Sequence, residues 1–168
     1  MINVCFTGHK PNKLFGYDIT NQAYLPIRAN IRAKLLELLQ KDAEMTAISG
    51  CALGIDTIAI EVCEELIQQG YNIKILLACP CKNQGKLWST KDKLKLDNFI
   101  AKYPHIFISD EYTMTCMQER NIYMVNNSDV VIAVWDGTNG GTANCVRYVQ
   151  KKGKPIVRIN PKDTYTKV

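Results

Sequence analysis

Strand-length apolar runs alternate with helix-period segments along the whole chain, and three of the runs leave through glycine: VCFTGHK (4–10), AISGCALGID (47–56) and VVIAVWDGTNGGT (130–142). Such alternation requires parallel pairing, because each helix must cross over before the next strand can join the sheet. The expected fold is therefore α/β, in three layers, with a mainly parallel sheet and helices on both faces. Glycine at the strand exits adds a functional hint. It lets a ligand approach the backbone, and free amides at a following helix N-terminus attract anions.

Residues 2–7 read as a buried strand, and Ile27, Ile31, Leu35, Leu38 and Leu39 then recur at helical spacing with Arg28, Arg32, Lys34 and Glu37 opposite. Residues 45–49 form the next strand; Ile55, Ile58, Ala59, Val62, Cys63, Leu66 and Ile67 mark a helix that stops at Gly70. NIKILLACP (72–80) is a strand closed by proline, followed by a lysine-rich helix that runs to Lys102 and carries Trp88 as its anchor. HIFIS (105–109), a helix near 116–127, the most apolar strand DVVIAV (129–134), a helix from Gly141 to before Gly153 and KPIVRI (154–159) complete the alternation. No repeat or linker interrupts it, so residues 1–168 read as one domain, large enough to bury a core unaided.

Composition narrows the function classes. With 46% hydrophobic and 22% charged residues the chain is an ordinary globule, and no apolar run approaches the roughly 20 residues of a bilayer span. MINVCFTG reads as a first strand rather than a leader, so a cytoplasmic location is expected. The seven cysteines are odd in number, and Cys5, Cys63 and Cys145 sit in apolar or helical patterns, as reduced buried thiols do. Cys79-Pro80-Cys81 is a tight pair, but His9 and His105 are remote from it; no zinc spacing results, and no metal or resident cofactor is expected. The net charge of +5 comes largely from Lys82 to Lys95 and from the tail after Lys151. That permits weak nucleic-acid binding without indicating it.

In open parallel sheets ligands bind beyond the carboxyl ends of the strands, where strand order reverses. Thr7, Gly8, His9 and Lys10 leave the first strand with donors and an imidazole for a phosphate or a base; the alternative is a plain exposed loop. Ser49 and Gly50, followed by Ala52, Gly54 and Asp56, form a small-residue turn whose amides can face an anion. Asp56 either caps its helix or meets a ribose hydroxyl. Gly140, Gly141 and Thr142 open the helix after the most apolar strand and make the best phosphate cradle in the chain. Asp136, before Gly137, is a ribose contact, an acid or base, or a turn former, and Trp135 stacks on a base or packs. Arg120, beside Asn121, is a phosphate clamp or an ordinary salt-bridge partner.

Together TGHKP, ISGCALGIDTIAIEV, ERNIYMVNNSDVVIAVWDG and NGGTANCVRYVQKKGKPIVRI resemble, in order and over nearly the whole chain, the SLOG superfamily, and especially its YpsA-like branch. That superfamily joins DNA-processing protein A (Smf) to the Lonely Guy phosphoribohydrolases. The resemblance implies a Rossmann-like sheet and ligands that are nucleotides, nucleotide-derived signals or DNA. Lonely Guy enzymes cleave an N-glycosidic bond, and their motifs are matched by Arg120 and Gly141-Thr142. Trp135-Asp136-Gly137 stands in place of their Pro-Gly-Gly, and Cys145, after Asn144, falls at their catalytic glutamate. A thiol does not replace a carboxylate that stabilises an oxocarbenium-like state. DNA-processing proteins are matched at Ser49, Gly50, Ala52, Gly54, Ile55 and Asp56 and at Arg120-Asn121; they bind single-stranded DNA. Here the basic residues do not interleave with aromatics as a strand-binding groove would.

The expectation is a sensor or sequestering module for a nucleotide or nucleotide-derived small molecule, with apolar helix faces forming a homodimer or higher homo-oligomer. Single-stranded DNA binding ranks second. Hydrolysis of a nucleoside monophosphate ranks third, with Asp136 and Arg120 as the candidate catalytic residues.

Overall fold

A computed structural model describes residues 1–163. Strands and helices alternate as β1 (Ile2–Gly8), α1 (Leu25–Lys41), β2 (Glu44–Ser49), α2 (Ile55–Gln68), β3 (Asn72–Cys81), α3 (Thr90–Lys102), β4 (His105–Ser109), α4 (Cys116–Asn126), β5 (Val130–Val134), α5 (Gly141–Lys151) and β6 (Ile156–Ile159). Every strand pairing is parallel, and the order across the sheet is β4-β3-β2-β1-β5-β6. The chain builds outward from β1 to β4, then returns past β1 to add β5 and β6. The order therefore reverses between β1 and β5, whose last residues Gly8 and Val134 are register partners.

The layers follow from side-chain periodicity. Along α1, Ile27, Ile31, Leu35 and Leu39 are buried at four-residue intervals, one stripe of an amphipathic helix. They pack with α2, with Leu96 and Phe99 of α3, and with Val4, Phe6, Ile73, Ile75 and Ile132 on one face of the sheet. The opposite face, with Cys5, Ile48, Ala78 and Val131, packs against Met124 and Val125 of α4 and Cys145 and Val149 of α5. All five residues of β5 are buried, as expected of a strand covered on both faces. Within its layer α2 is tied to both neighbouring helices, since Glu61 accepts from Arg28 of α1 (2.8 Å) and from Lys95 of α3 (2.9 Å).

Two local readings differ from the sequence expectation. β3 runs through Pro80 to Cys81 instead of ending at the proline. By then β2 has stopped at Ser49, opposite Leu77, so a residue without an N–H costs no ladder bond on that side. Trp88 lies in the turn before α3 rather than on it. Ser89 caps the helix by accepting from Asp92 N (3.2 Å), and Trp88 packs on the core from just upstream.

Residues 9–24 connect β1 to α1 through 3-10 turns at Pro11–Lys13 and Gln22–Tyr24. Buried Tyr24 organises this stretch. Its hydroxyl donates to Gly16 O (2.5 Å) and accepts from Phe15 N (3.2 Å), while its ring meets Phe15 edge-on at 5.3 Å.

Candidate functional site

A cleft of about 300 Å³ opens where β1 and β5 part. One wall is the start of α5. Gly140 precedes it with no capping side chain, and the first turn holds no acidic residue, so the positive end of the helix is left without a partner of its own. A Cβ built on Gly141 would meet no atom within 4 Å, and Thr142 completes this wall.

Arg120 approaches from α4 and is only 6% exposed. Its Nη1 donates to Gly50 O (2.6 Å) and lies 3.9 Å from Asp56 Oδ2, while its Nε donates to Asn121 Oδ1 (2.9 Å). Gly50 is required here by space, since a Cβ would fall on the Arg120 guanidinium and 2.8 Å from Asp56 Oδ2. Asp56 is 7% exposed and accepts from Ala52 N (3.2 Å). Burial pushes its carboxyl above the usual carboxylate range, against the opposing pull of the Arg120 charge and the Ala52 amide. The Ser49 hydroxyl is committed to the loop itself, donating to Asp56 O (2.9 Å) and accepting from Cys51 N (3.2 Å).

His9 closes the cleft on the β1 side and is 3% exposed. Its Nε2 lies 2.7 Å from Asp136 Oδ1. The same oxygen accepts from Thr138 Oγ1 (2.6 Å) and Thr138 N (3.0 Å), and Oδ2 faces Lys162 Nζ at 3.4 Å. These donors, the Thr138 hydroxyl and amide first and then His9, hold the Asp136 carboxyl well below its ordinary range. The carboxylate is thus occupied. It orients His9 and does not line the cleft.

Of the residues singled out from the sequence, Thr7, Gly8, His9, Lys10, Ala52, Asp56, Arg120, Asn121, Gly141 and Thr142 come together on the cleft wall. Ser49, Gly50, Gly54 and Gly140 stand behind it as supports. Gly54, at φ 90, brings the start of α2 under Pro11, and Gly140 packs against Lys13 Nζ. Trp135, Asp136 and Gly137 form the loop behind His9. The Trp135 Nε1 donates to Thr138 O (2.8 Å) and its ring lies 5.0 Å from the Arg158 guanidinium, away from the cleft. Gly8 lines the wall, yet its lack of a side chain serves packing: a Cβ would lie 2.5 Å from Ile55 Cγ1.

Sequence reasoning missed Asn12, Lys13 and Met117, which line the cleft together with Leu53 of the turn after Gly50. Lys13 reaches across its mouth to donate to Asn139 O (3.0 Å). Nothing in the sequence pairs these two distant positions, and Met117 reads as a helix core position. An adjoining space of about 560 Å³ is lined by Tyr17, Leu87, Trp88 and Gln84 and shares Lys10, Ala52, Leu53 and Met117 with the cleft. Cys145 lies outside both. It is fully buried among Cys5, Val131 and Val149, where burial pushes its thiol up. Among the described residues no three of His, Cys, Asp and Glu are grouped to hold a metal ion, and no helix is long and apolar enough to cross a membrane.

This geometry has relatives. The chain is 30% identical over 156 residues to the SPbeta prophage-derived protein YoqJ of Bacillus subtilis, covering 84% of this chain and 91% of YoqJ. It is 31% identical over 142 residues to the UPF0398 protein lwe1908 of Listeria welshimeri, covering 81% and 76%. Among solved structures, DNA processing protein A from Streptococcus pneumoniae superposes with a TM-score of 0.65 at 18% identity over 95% of this chain. This chain spans 50% of that protein's length. DNA processing protein A from Helicobacter pylori, whose structure describes a single-stranded DNA binding mode, gives 0.63 at 20% identity over 97% of this chain and 68% of its own. Residues 4–163 match the family model described as the YspA SLOG family. With that match spanning all but the ends, the chain belongs to the YpsA family of SLOG proteins.

Proposed function

We propose that the protein binds a nucleotide or nucleotide-derived small molecule in the cleft between β1 and β5, as a sensor or sequestering module. The observation that carries this reading is the pairing of two anion-seeking features across one small space. The uncapped start of α5 at Gly141 and Thr142 faces the buried guanidinium of Arg120, with Lys10 and Lys13 at the rim. The adjoining space, bounded by Trp88, Leu87, Tyr17 and Met117, has the apolar character and size to take a base. The ligand is bound and not cleaved, because the buried thiol of Cys145 offers no group that stabilises an oxocarbenium ion.

Mass spectrometry of metabolites released from the purified, heat-denatured protein tests the reading. A nucleotide-class compound in stoichiometric amount supports it. Denatured protein that releases none, together with no calorimetric signal for adenosine monophosphate or adenosine diphosphate, removes it. Adenosine monophosphate incubated with the protein should stay intact.

Single-stranded DNA is the second reading, favoured by the fold shared with the DNA processing proteins. A surface that neutralises several backbone phosphates loses affinity steeply as salt rises, whereas one nucleotide held by buried amides depends on salt far less. A labelled oligonucleotide should bind weakly and be released near physiological salt. Tight binding that persists there and is lost in Arg120→Ala would put DNA first.

A further inference from the structure

Arg120 commits only part of its donor capacity to the protein. Nη1 donates to Gly50 O (2.6 Å), a carbonyl that Gln84 Nε2 also reaches (3.2 Å), and faces Asp56 Oδ2 at 3.9 Å. Nη2 has Met117 Sδ, a weak acceptor at 4.0 Å, as its one hydrogen-bond partner among the described residues. Arg120, Asp56 and Met117 all line the cleft. The guanidinium therefore keeps donors for an anion while its charge already serves a carboxylate.

Asp56 is thinly compensated for a carboxyl that is 7% exposed. Its Oδ2 accepts from Ala52 N (3.2 Å), and the contact with Arg120, the one cation within ion-pair distance among the described residues, is too long for a hydrogen bond. The cations of the helices flanking α2, Arg28 of α1 and Lys95 of α3, are paired with Glu61. Cys51 in the same turn, Cys5 of β1 and Cys145 of α5 face Asp56 as thiols and bring no positive charge. His9, Lys10 and Lys13 share the cleft wall from the other side of β1. Burial already favours the neutral acid, and the Arg120 charge chiefly opposes it.

A phosphate drawn to Arg120 is a second anion on that one guanidinium. Like charges at a shared site disfavour the ionised form, and the carboxyl is the partner able to neutralise itself. Protonated, it also turns from a repelling acceptor into an O–H donor toward phosphate oxygens.

We propose that a phosphate group is bound in the cleft together with one proton, taken from solvent by Asp56, which changes from the ion partner of Arg120 into a hydrogen-bond donor to the anion. No other bond is made or broken. This rests on the nucleotide reading above and adds to it the ionic form in which the ligand is held. The cleft is then a proton-linked anion site that loosens as pH rises.

The test is calorimetric titration with adenosine monophosphate between pH 7 and 9, where its phosphate is ionised, in pairs of buffers that differ in ionisation enthalpy. Proton uptake should rise toward one per ligand, and over the range where it is complete affinity should fall about tenfold per pH unit. Asp56→Asn keeps a donor but cannot titrate. It should bind without that uptake, with affinity nearly level across the range and tighter than the wild type at pH 9. If the variant does not fold, 13C NMR of the wild type decides: the Asp56 carboxyl carbon should move to the position of a protonated acid on adding adenosine monophosphate. Binding without proton uptake at any pH in the range, uptake undiminished in Asp56→Asn, or a carboxyl carbon that stays unmoved would each overturn the proposal while leaving the nucleotide site standing. Failure of adenosine monophosphate to bind the wild type at any pH would remove the nucleotide reading itself, and this inference with it.

Discussion

Gly8→Ala separates two reasons for a glycine at the exit of β1. If the residue is small so that a ligand can approach, alanine should weaken binding and leave stability alone. The structure assigns it to packing instead. A Cβ at Gly8 would lie 2.5, 2.7 and 2.8 Å from three side-chain carbons of Ile55, the first residue of α2. Carbon atoms rest at about 3.5–4.0 Å, so relief requires α2 or β1 to move by roughly 1 Å or more. Neither moves easily. α2 buries nine of its residues, and β1 is paired on both sides. Overpacking of this kind costs about 1–3 kcal/mol, which for a domain of this size lowers Tm by roughly 2–12 °C. Ile55→Ala alone leaves a cavity and should cost about 2–5 kcal/mol. The double variant should cost clearly less than the sum, because the new methyl occupies space that the isoleucine has vacated. Thermal and urea unfolding of the two single variants and the double one measure this. An unchanged Tm for Gly8→Ala, or strict additivity in the cycle, would refute the packing argument.

Three further outcomes follow from the same geometry. Gly141→Val adds a branched side chain where nothing lies within 4 Å, so Tm should change little while calorimetric nucleotide affinity falls at least tenfold. Asp136 has its carboxyl depressed in the folded state; its stabilising contribution is therefore present above the ordinary carboxylate range and lost as pH falls from that range through the depressed folded value. Urea midpoints recorded from neutral to acid pH should fall less steeply for Asp136→Asn than for the parent. Lys154 donates to Val125 O and Ser128 O, both at 2.7 Å, and to Asn126 O at 3.3 Å, closing the end of α4. Lys154→Met should cost about 1–3 kcal/mol by urea unfolding, with ligand affinity unchanged.

The order of strands and helices was legible because each helix buries a stripe at its own period, as α1 does with Ile27, Ile31, Leu35 and Leu39. The edge at which a site would form follows from that alternation, and Arg120, Gly141 and Thr142 meet there. What fills the space beside a glycine was not legible. Gly50 admits a guanidinium from seventy positions away and Gly8 admits Ile55, and a sequence records only that a side chain is missing. Residues 9–24 lack periodicity, so the reach of Lys13 to Asn139 left no trace in the chain. Trp135 was open to stacking or packing until Thr138 and Arg158 were seen to occupy its nitrogen and its ring.

The bridge from Lys13 to the backbone of Asn139 has a consequence for the mouth of the cleft. The 9–24 connection is held from within by Tyr24 and by Arg28, which donates to Ile19 O, and Lys13 ties it to the far side of the mouth. If the cleft takes a phosphate-bearing ligand as proposed, that phosphate would compete with Asn139 O for the same exposed ammonium group rather than displace packed core.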